Sequence, residues 1–184
     1  MPDEAMWEGF FDAPATLVTL GLTEKYNSVV EFGCGYGTFT LAVARIAGGI
    51  VYALDIEPDM IKITQAKAVH AKLDNVRAIQ RDFVKDGTGF PEQSMDFAML
   101  FNILHAEEPL LLLHEAHRVL RSGGILAITH WNYDPATPRG PSMDIRPRPE
   151  QCREWAESAG FFSLHPGIIN LPPYHYGLAL QKPE

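Results

Sequence analysis

The stretch Val29-Val30-Glu31-Phe32-Gly33-Cys34-Gly35-Tyr36-Gly37-Thr38-Phe39 passes from strand-forming residues through three alternate glycines into a helical pattern. In a plain strand those glycines would be wasted, because glycine costs conformational entropy and gives a strand nothing to pack. They suit a sharp turn whose backbone must lie against a ligand. The dinucleotide fingerprint G-x-G-x-x-G seats a pyrophosphate on a helix N-terminus; here Gly33, Gly35 and Gly37 read G-x-G-x-G, and position 38 is Thr. Glu31 stands two residues before the first glycine, and Asp55 closes the next apolar run, 50–54. A carboxylate there can accept from both hydroxyls of a ribose, and its spacing of 22 residues from Gly33 suits a strand, helix, strand unit. The ligand indicated is a nucleoside without a diphosphate bridge.

Outward from this loop the chain alternates strand and helix patterns. On the N-terminal side, the aromatic segment Met6-Trp7-Glu8-Gly9-Phe10-Phe11 precedes Asp12, an N-cap, and Pro14, in the first turn of a helix to about Leu20 with Gly21 as its stop. Two readings stay open for these aromatics: packing on the sheet, or a flap over the site. On the C-terminal side come a helix over 39–47, a strand over 50–55, a helix opened by Glu57-Pro58-Asp59 and reaching about Leu73, and a strand over 76–80. The continuous apolar run 95–101 reads as a central parallel strand ending at Asn102-Ile103-Leu104-His105. A helix over 110–120, a strand over 125–129, a proline-rich loop over 132–149, a helix over 149–158 and two short strands, about 162–171 and 174–181, complete one domain over 1–184. Within it, 1–22 is the helical flap and 132–149 an ordered active-site loop, since prolines reduce the freedom of an unfolded loop. Ligands in such sheets bind beyond the strands' carboxyl ends, which brings in His105, His130, Trp131 and Tyr133. His105 and His130 titrate nearest to neutrality and are the candidate catalytic bases. In Tyr174-His175-Tyr176, alternation along a strand keeps all three from one pocket.

The ordered motifs carry a resemblance. The E-x-G-x-G-x-G run at 31–37, the Glu115-x-x-Arg118-Val119-Leu120-x-x-Gly123-Gly124 pattern before the fifth strand and the Ala159-Gly160-Phe161 junction resemble the class I S-adenosylmethionine-dependent methyltransferases. The likeness is to their small-molecule, methyltransferase-11 group and spans nearly the whole chain, 29 to about 180. It implies an α/β, Rossmann-like three-layer αβα sandwich with a seven-stranded, mostly parallel sheet whose last strand is antiparallel. It also implies S-adenosylmethionine as cofactor, held by Glu31, Gly33, Gly35, Gly37 and Asp55. By the same resemblance Asp82 contacts the adenine amino group, Phe83 donates from its backbone, Ile56 and Met60 flank the ring, and Asn102 meets the methionine part. The implied reaction is in-line methyl transfer to a small-molecule acceptor; a quinone-like ring and a protein side chain are both compatible.

Composition bounds this reading. At 184 residues, with 46% hydrophobic and 21% charged residues, the chain suits one globular domain. Its net charge of -8 disfavours nucleic acid as a partner. No apolar run of about 18 residues and no signal-peptide pattern occurs, so the expected location is cytoplasmic. Cys34 and Cys152 form neither a disulfide framework nor a zinc spacing. His114 and His117 lack a third ligand at metal spacing, so they read as solvent-facing helix residues and no metal is expected. Two rivals remain: a catalytically silent cofactor-binding protein acting through a partner, and a nicotinamide-dependent oxidoreductase, which Thr38 and Glu31 argue against.

Overall fold

The computed structural model describes residues 4–184. In chain order the elements are α1 (Glu4–Glu8), α2 (Ala13–Thr19), β1 (Ser28–Phe32), α3 (Thr38–Ile46), β2 (Ile50–Asp55), α4 (Pro58–His70), β3 (Val76–Gln80), β4 (Met95–Phe101), α5 (Pro109–Val119), β5 (Leu120–Trp131), α6 (Pro149–Ser158), β6 (Phe162–Ser163), β7 (Ile169–Leu171) and β8 (His175–Gln181). Among the described residues no helix is long and apolar enough to cross a membrane.

One sheet runs β3-β2-β1-β4-β5-β8-β6, with β7 also on β8. Pairings from β3 to β5 are parallel, and β8 alone reverses direction against its neighbours. The chain steps outward from β1 to β3 and then returns to lay β4 on the other side of β1. That reversal opens a crevice beyond the strand ends. Strand alternation sorts the core into two faces. Val30, Phe32, Ala98, Leu100, Leu126 and Ile128 pack with residues of α5 and α6, while Val29, Val51, Phe97, Met99 and Ala127 pack with those of α2 and α3. The three-layer sandwich, mostly parallel with a reversed last strand, is as the sequence implied.

Two features depart from the sequence reading. The expected sixth strand, 162–171, is broken into β6 and β7, which pair with opposite ends of β8 around the Pro166-Gly167 interruption. The fifth strand is far longer than 125–129. Its register jumps from Met95↔Leu120 to Phe97↔Ile125, so residues 121–124 bulge out, and its far end continues through His130↔Tyr176 and Trp131↔His175. His130 and Trp131 therefore belong to the sheet and not to the loop after it.

Asp12 caps α2 by accepting from Ala15 N at 3.0 Å. Inside β4, the buried Asp96 accepts from Asn27 N and Ser28 N at the start of β1, at 2.6 and 3.2 Å, and pairs with Arg121 at 2.9 Å. The Glu115-x-x-Arg118 motif has a structural task. Glu115 receives Arg118 Nε and Nη2 together with Thr88 N and Oγ1, and Arg118 Nη2 also donates to Phe90 O, which pins the loop before β4 to α5. His114 is exposed, as expected, but His117 is half-buried, its ring 5.1 Å from that of Phe161.

Candidate active site

The glycine loop is anchored to the end of β2. Gly33 N and Cys34 N both donate to Leu54 O, at 2.9 and 2.8 Å, and Gly35 N donates to Asp55 Oδ2 at 2.8 Å. All three glycines adopt positive φ, 79°, 51° and 77°, a region that side chains disfavour. Gly37 also caps α3, and a Cβ there would lie 2.9 Å from Thr64 Oγ1 on α4. That hydroxyl donates to Gly35 O at 3.0 Å, so the third glycine serves close packing of loop against helix.

A cavity of about 270 Å³ opens beyond the strand ends. Its walls come from the loop (Glu31, Gly33, Cys34, Gly35), the start of α3 (Thr38, Phe39), the end of β2 (Asp55, Ile56), Phe83 after β3, the end of β4 (Phe101, Asn102, Ile103) and Trp7. Most of the anticipated binding residues thus converge on one space. Three stand apart from its lining: Gly37, in its packing role; Met60, half-buried on the first turn of α4; and Asp82, whose Oδ1 accepts from Lys85 N at 3.0 Å.

Glu31 is only 2% exposed, and Thr40 Oγ1 donates to its Oε2. Burial raises its carboxyl from 4.5 to about 8; the Thr40 bond opposes the shift, and nearby Asp55 adds to it. The consequence for stability has a definite sign. A carboxyl that is harder to ionise in the folded state costs the protein stability as pH climbs from about 4.5 to about 8, by about 1.4 kcal/mol per unit. Glu31→Gln is therefore expected to raise the stability of the ligand-free protein relative to wild type by a few kcal/mol at pH 8, with the gap closing toward pH 5. Urea denaturation across that range measures it, and a gap that does not vary with pH would contradict a perturbed Glu31. Asp55, also buried, spends one lone pair of each carboxylate oxygen on the backbone, Oδ2 on Gly35 N and Oδ1 on Glu57 N at 3.0 Å. The second lone pair of each oxygen remains for a ligand.

A second cavity of about 240 Å³ shares Trp7 and Asn102 with the first and is completed by His105, Trp131, Arg139, Gly140 and Pro141. Asn102 sits where the two meet, at φ 56°, a left-handed conformation that Asn tolerates better than most residues. Its backbone N–H donates to Thr129 O at 2.8 Å, yet its side-chain Oδ1 and Nδ2 are buried without a protein partner, as is Thr38 Oγ1. Buried polar atoms are rarely left this way, so the orphans fit a polar ligand spanning the junction.

His105 lines the second cavity, and its Nδ1 lies 3.3 Å from His130 Nε2. His130 is completely buried, lines neither cavity, and stacks near Tyr176. The reading of His130 as a base that meets an acceptor directly is corrected: the extension of β5 draws it into the sheet, behind His105. Burial, with His105 close by, pushes its pKa down to about 3, and burial lowers that of His105 as well, so both rings are neutral at physiological pH.

The N-terminal aromatics divide between their two readings. Phe10 and Phe11 pack on Trp131, Phe39 and His175, whereas Trp7 enters the wall of both cavities. Lys67 of α4 ties α1 down by bonding Glu4 and Glu8 while donating to Tyr36 O of the glycine loop at 3.1 Å. Thr38 and Arg139 were not singled out individually from the sequence as site residues, and Trp7 only as part of the candidate flap. Thr38 was legible as the residue that follows the last glycine; Trp7 and Arg139 reach the site only through tertiary packing.

Comparison with known proteins gives a consistent picture. A family model described as "Methyltransferase domain" matches residues 30–128, more than half of the chain. A demethylmenaquinone methyltransferase of Geobacillus stearothermophilus is 30% identical over 105 residues, which is 55% of this chain and 44% of that protein. Its counterpart in Listeria monocytogenes is 30% identical over 107 residues, with 56% and 44% covered. The chain thus spans less than half the length of these curated relatives. Among solved structures, a SAM-dependent methyltransferase from Aquifex aeolicus is 25% identical, with 97% of this chain and 93% of that one covered at a TM-score of 0.84. The [4+2]-cyclase SpnF shares the fold at 20% identity and a TM-score of 0.78, with 93% and 80% covered.

Proposed function

The chain belongs to the methyltransferase domain family, and from that premise we propose that it transfers a methyl group from S-adenosylmethionine to a small-molecule acceptor. The observation that carries the reading is the junction at Asn102, where an orphaned amide links a cavity lined by carboxyl groups to a second cavity lined by a histidine. Asp55 makes the first cavity suited to ribose hydroxyls and poorly suited to a pyrophosphate, and a cation bound nearby would favour ionisation of Glu31.

S-adenosylmethionine, when bound, supplies a methyl carbon whose bond to a sulfonium sulfur breaks with the electron pair going to sulfur. The protein's part is to align the acceptor, exclude water and take a proton. Asp55 would hold the ribose, Thr38 and Asn102 would satisfy polar groups of the amino-acid end, and Ile56 and Phe83 would border the base. Trp7 and α1 act as the flap that closes both cavities, and the 132–149 loop walls the acceptor side.

His105 is the base. With its Nδ1 engaged by His130 Nε2, the other ring nitrogen is left for the acceptor, and the active tautomer is the one in which Nδ1–H donates to His130. His130 is then a positioning residue: it fixes the ring and accepts from the imidazolium that forms. Because burial lowers the pKa of His105 below 6.5, turnover should be flat through neutral pH and fall only on the acid side.

Calorimetry with S-adenosylhomocysteine, followed by labelled methyl transfer into fractionated small molecules, tests the proposal. His105→Ala is expected to lower turnover about a hundredfold with unchanged affinity for S-adenosylhomocysteine. Unaltered turnover would remove His105 from the mechanism, and binding without transfer to any fraction would end the methyl-transfer reading.

A further inference from the structure

The proline-rich loop carries three arginines in different circumstances. The Arg146 guanidinium is buried and saturated by loop oxygens. Arg148 lies over the Tyr133 ring at 3.7 Å. Arg139 lines the second cavity and takes part in none of the ion pairs found among the described residues. The neighbouring Asp134 directs Oδ1 to Ala136 N at 2.8 Å. Among the described residues, the hydrogen bond found for the guanidinium is a long one, Nη2 to Met6 Sδ at 3.8 Å. Its backbone, by contrast, is fixed, since Arg139 O accepts from Thr137 Oγ1 at 3.0 Å and Arg146 Nη2 at 3.3 Å.

The rest of the cavity has a matching character. Trp7 and Trp131 contribute indole walls, suited to a flat ring. The volume, about 240 Å³, falls below the roughly 300 Å³ at which pockets for drug-sized ligands begin. The two cavities also differ in charge, the Asp55 carboxylate in the first and a guanidinium in the second. An anionic acceptor is thereby favoured on the side away from Asp55.

We propose that the second cavity takes a small planar acceptor bearing a carboxylate, gripped by Arg139, with its ring between Trp7 and Trp131 and its nucleophilic atom toward His105. This rests on the methyl-transfer reading of the same site. A guanidinium and a carboxylate pair bidentately, and a neutral amide in the same place forfeits that charge-assisted grip.

The test uses the full chain saturated with S-adenosylhomocysteine and two probes of one shape, 4-hydroxybenzoate and its neutral analogue 4-hydroxybenzamide, titrated by calorimetry. The expected result is at least about tenfold tighter binding of the acid, with the preference lost in Arg139→Gln and affinity for S-adenosylhomocysteine retained in that variant. Equal binding of acid and amide, a preference that survives in Arg139→Gln, or no binding of either probe by the saturated protein would each overturn the proposal. Failure of S-adenosylhomocysteine itself to bind is a separate result, visible in the first titration; it would overturn the cofactor reading and the acceptor proposal with it.

Discussion

Replacing Asp55 with alanine is expected to weaken binding of S-adenosylhomocysteine by about a hundredfold or more. The carboxylate offers one remaining lone pair on each oxygen to a ribose, and a hydrogen bond to a charged group contributes about 1.5–3 kcal/mol. Two such bonds account for the loss without any other change. The same carboxylate holds Gly35 N and Glu57 N, so the alanine also frees the glycine loop from the end of β2, and the loss compounds. Asp55→Asn separates the two parts. It keeps one carbonyl oxygen and nearly the same shape, so it should bind between wild type and alanine. Calorimetry gives the affinities, and circular dichroism verifies that each variant is folded. An unchanged dissociation constant in the alanine variant would remove Asp55 from the ligand's contacts.

What the sequence conveyed, and what it withheld, follows the range of the interactions concerned. Positive φ at Gly33, Gly35 and Gly37, the cap at Asp12 and the acid at the end of β2 are local matters, written in residue type and spacing. The alternation of helix and strand patterns conveyed the layered sheet for the same reason. The length of β5 is different. Nothing near His130 says that it continues a strand, because its partner Tyr176 lies on a distant segment of the chain. That one long-range pairing draws a candidate base into the sheet, where it is fully buried behind His105. Likewise Asp82 follows β3 as the motif requires, but its side chain is taken up by the next turn. The second cavity was the least legible part. It is assembled from α1, the end of β4, the end of β5 and the loop, four segments with no shared pattern.

The loop's order depends on Arg146, and there the other large effect is expected. Its side-chain nitrogens reach five acceptors, the carbonyls of Asn132, Asp134, Arg139 and Pro141 and the Thr137 hydroxyl. A planar guanidinium with five fixed donors suits such a set, and an ammonium with three does not. Gly140 lets the chain pass close by: at φ 119° a Cβ would lie 2.7 Å from Arg146 Nη2 and 2.9 Å from Trp131 Cγ. Arg146→Ala strands several carbonyls and is expected to destabilise the protein by on the order of 3 kcal/mol, seen as a lower urea midpoint. Arg146→Lys should recover less than half of that. The damage should also be directional. Arg139, Gly140 and Pro141 wall the second cavity, so KM for the acceptor should rise severalfold while affinity for S-adenosylhomocysteine, held by β1, β2 and β4, changes little. If Arg146→Lys matched wild type in both stability and acceptor KM, charge alone would organise this loop, and the fan of carbonyls around the guanidinium would be incidental to it.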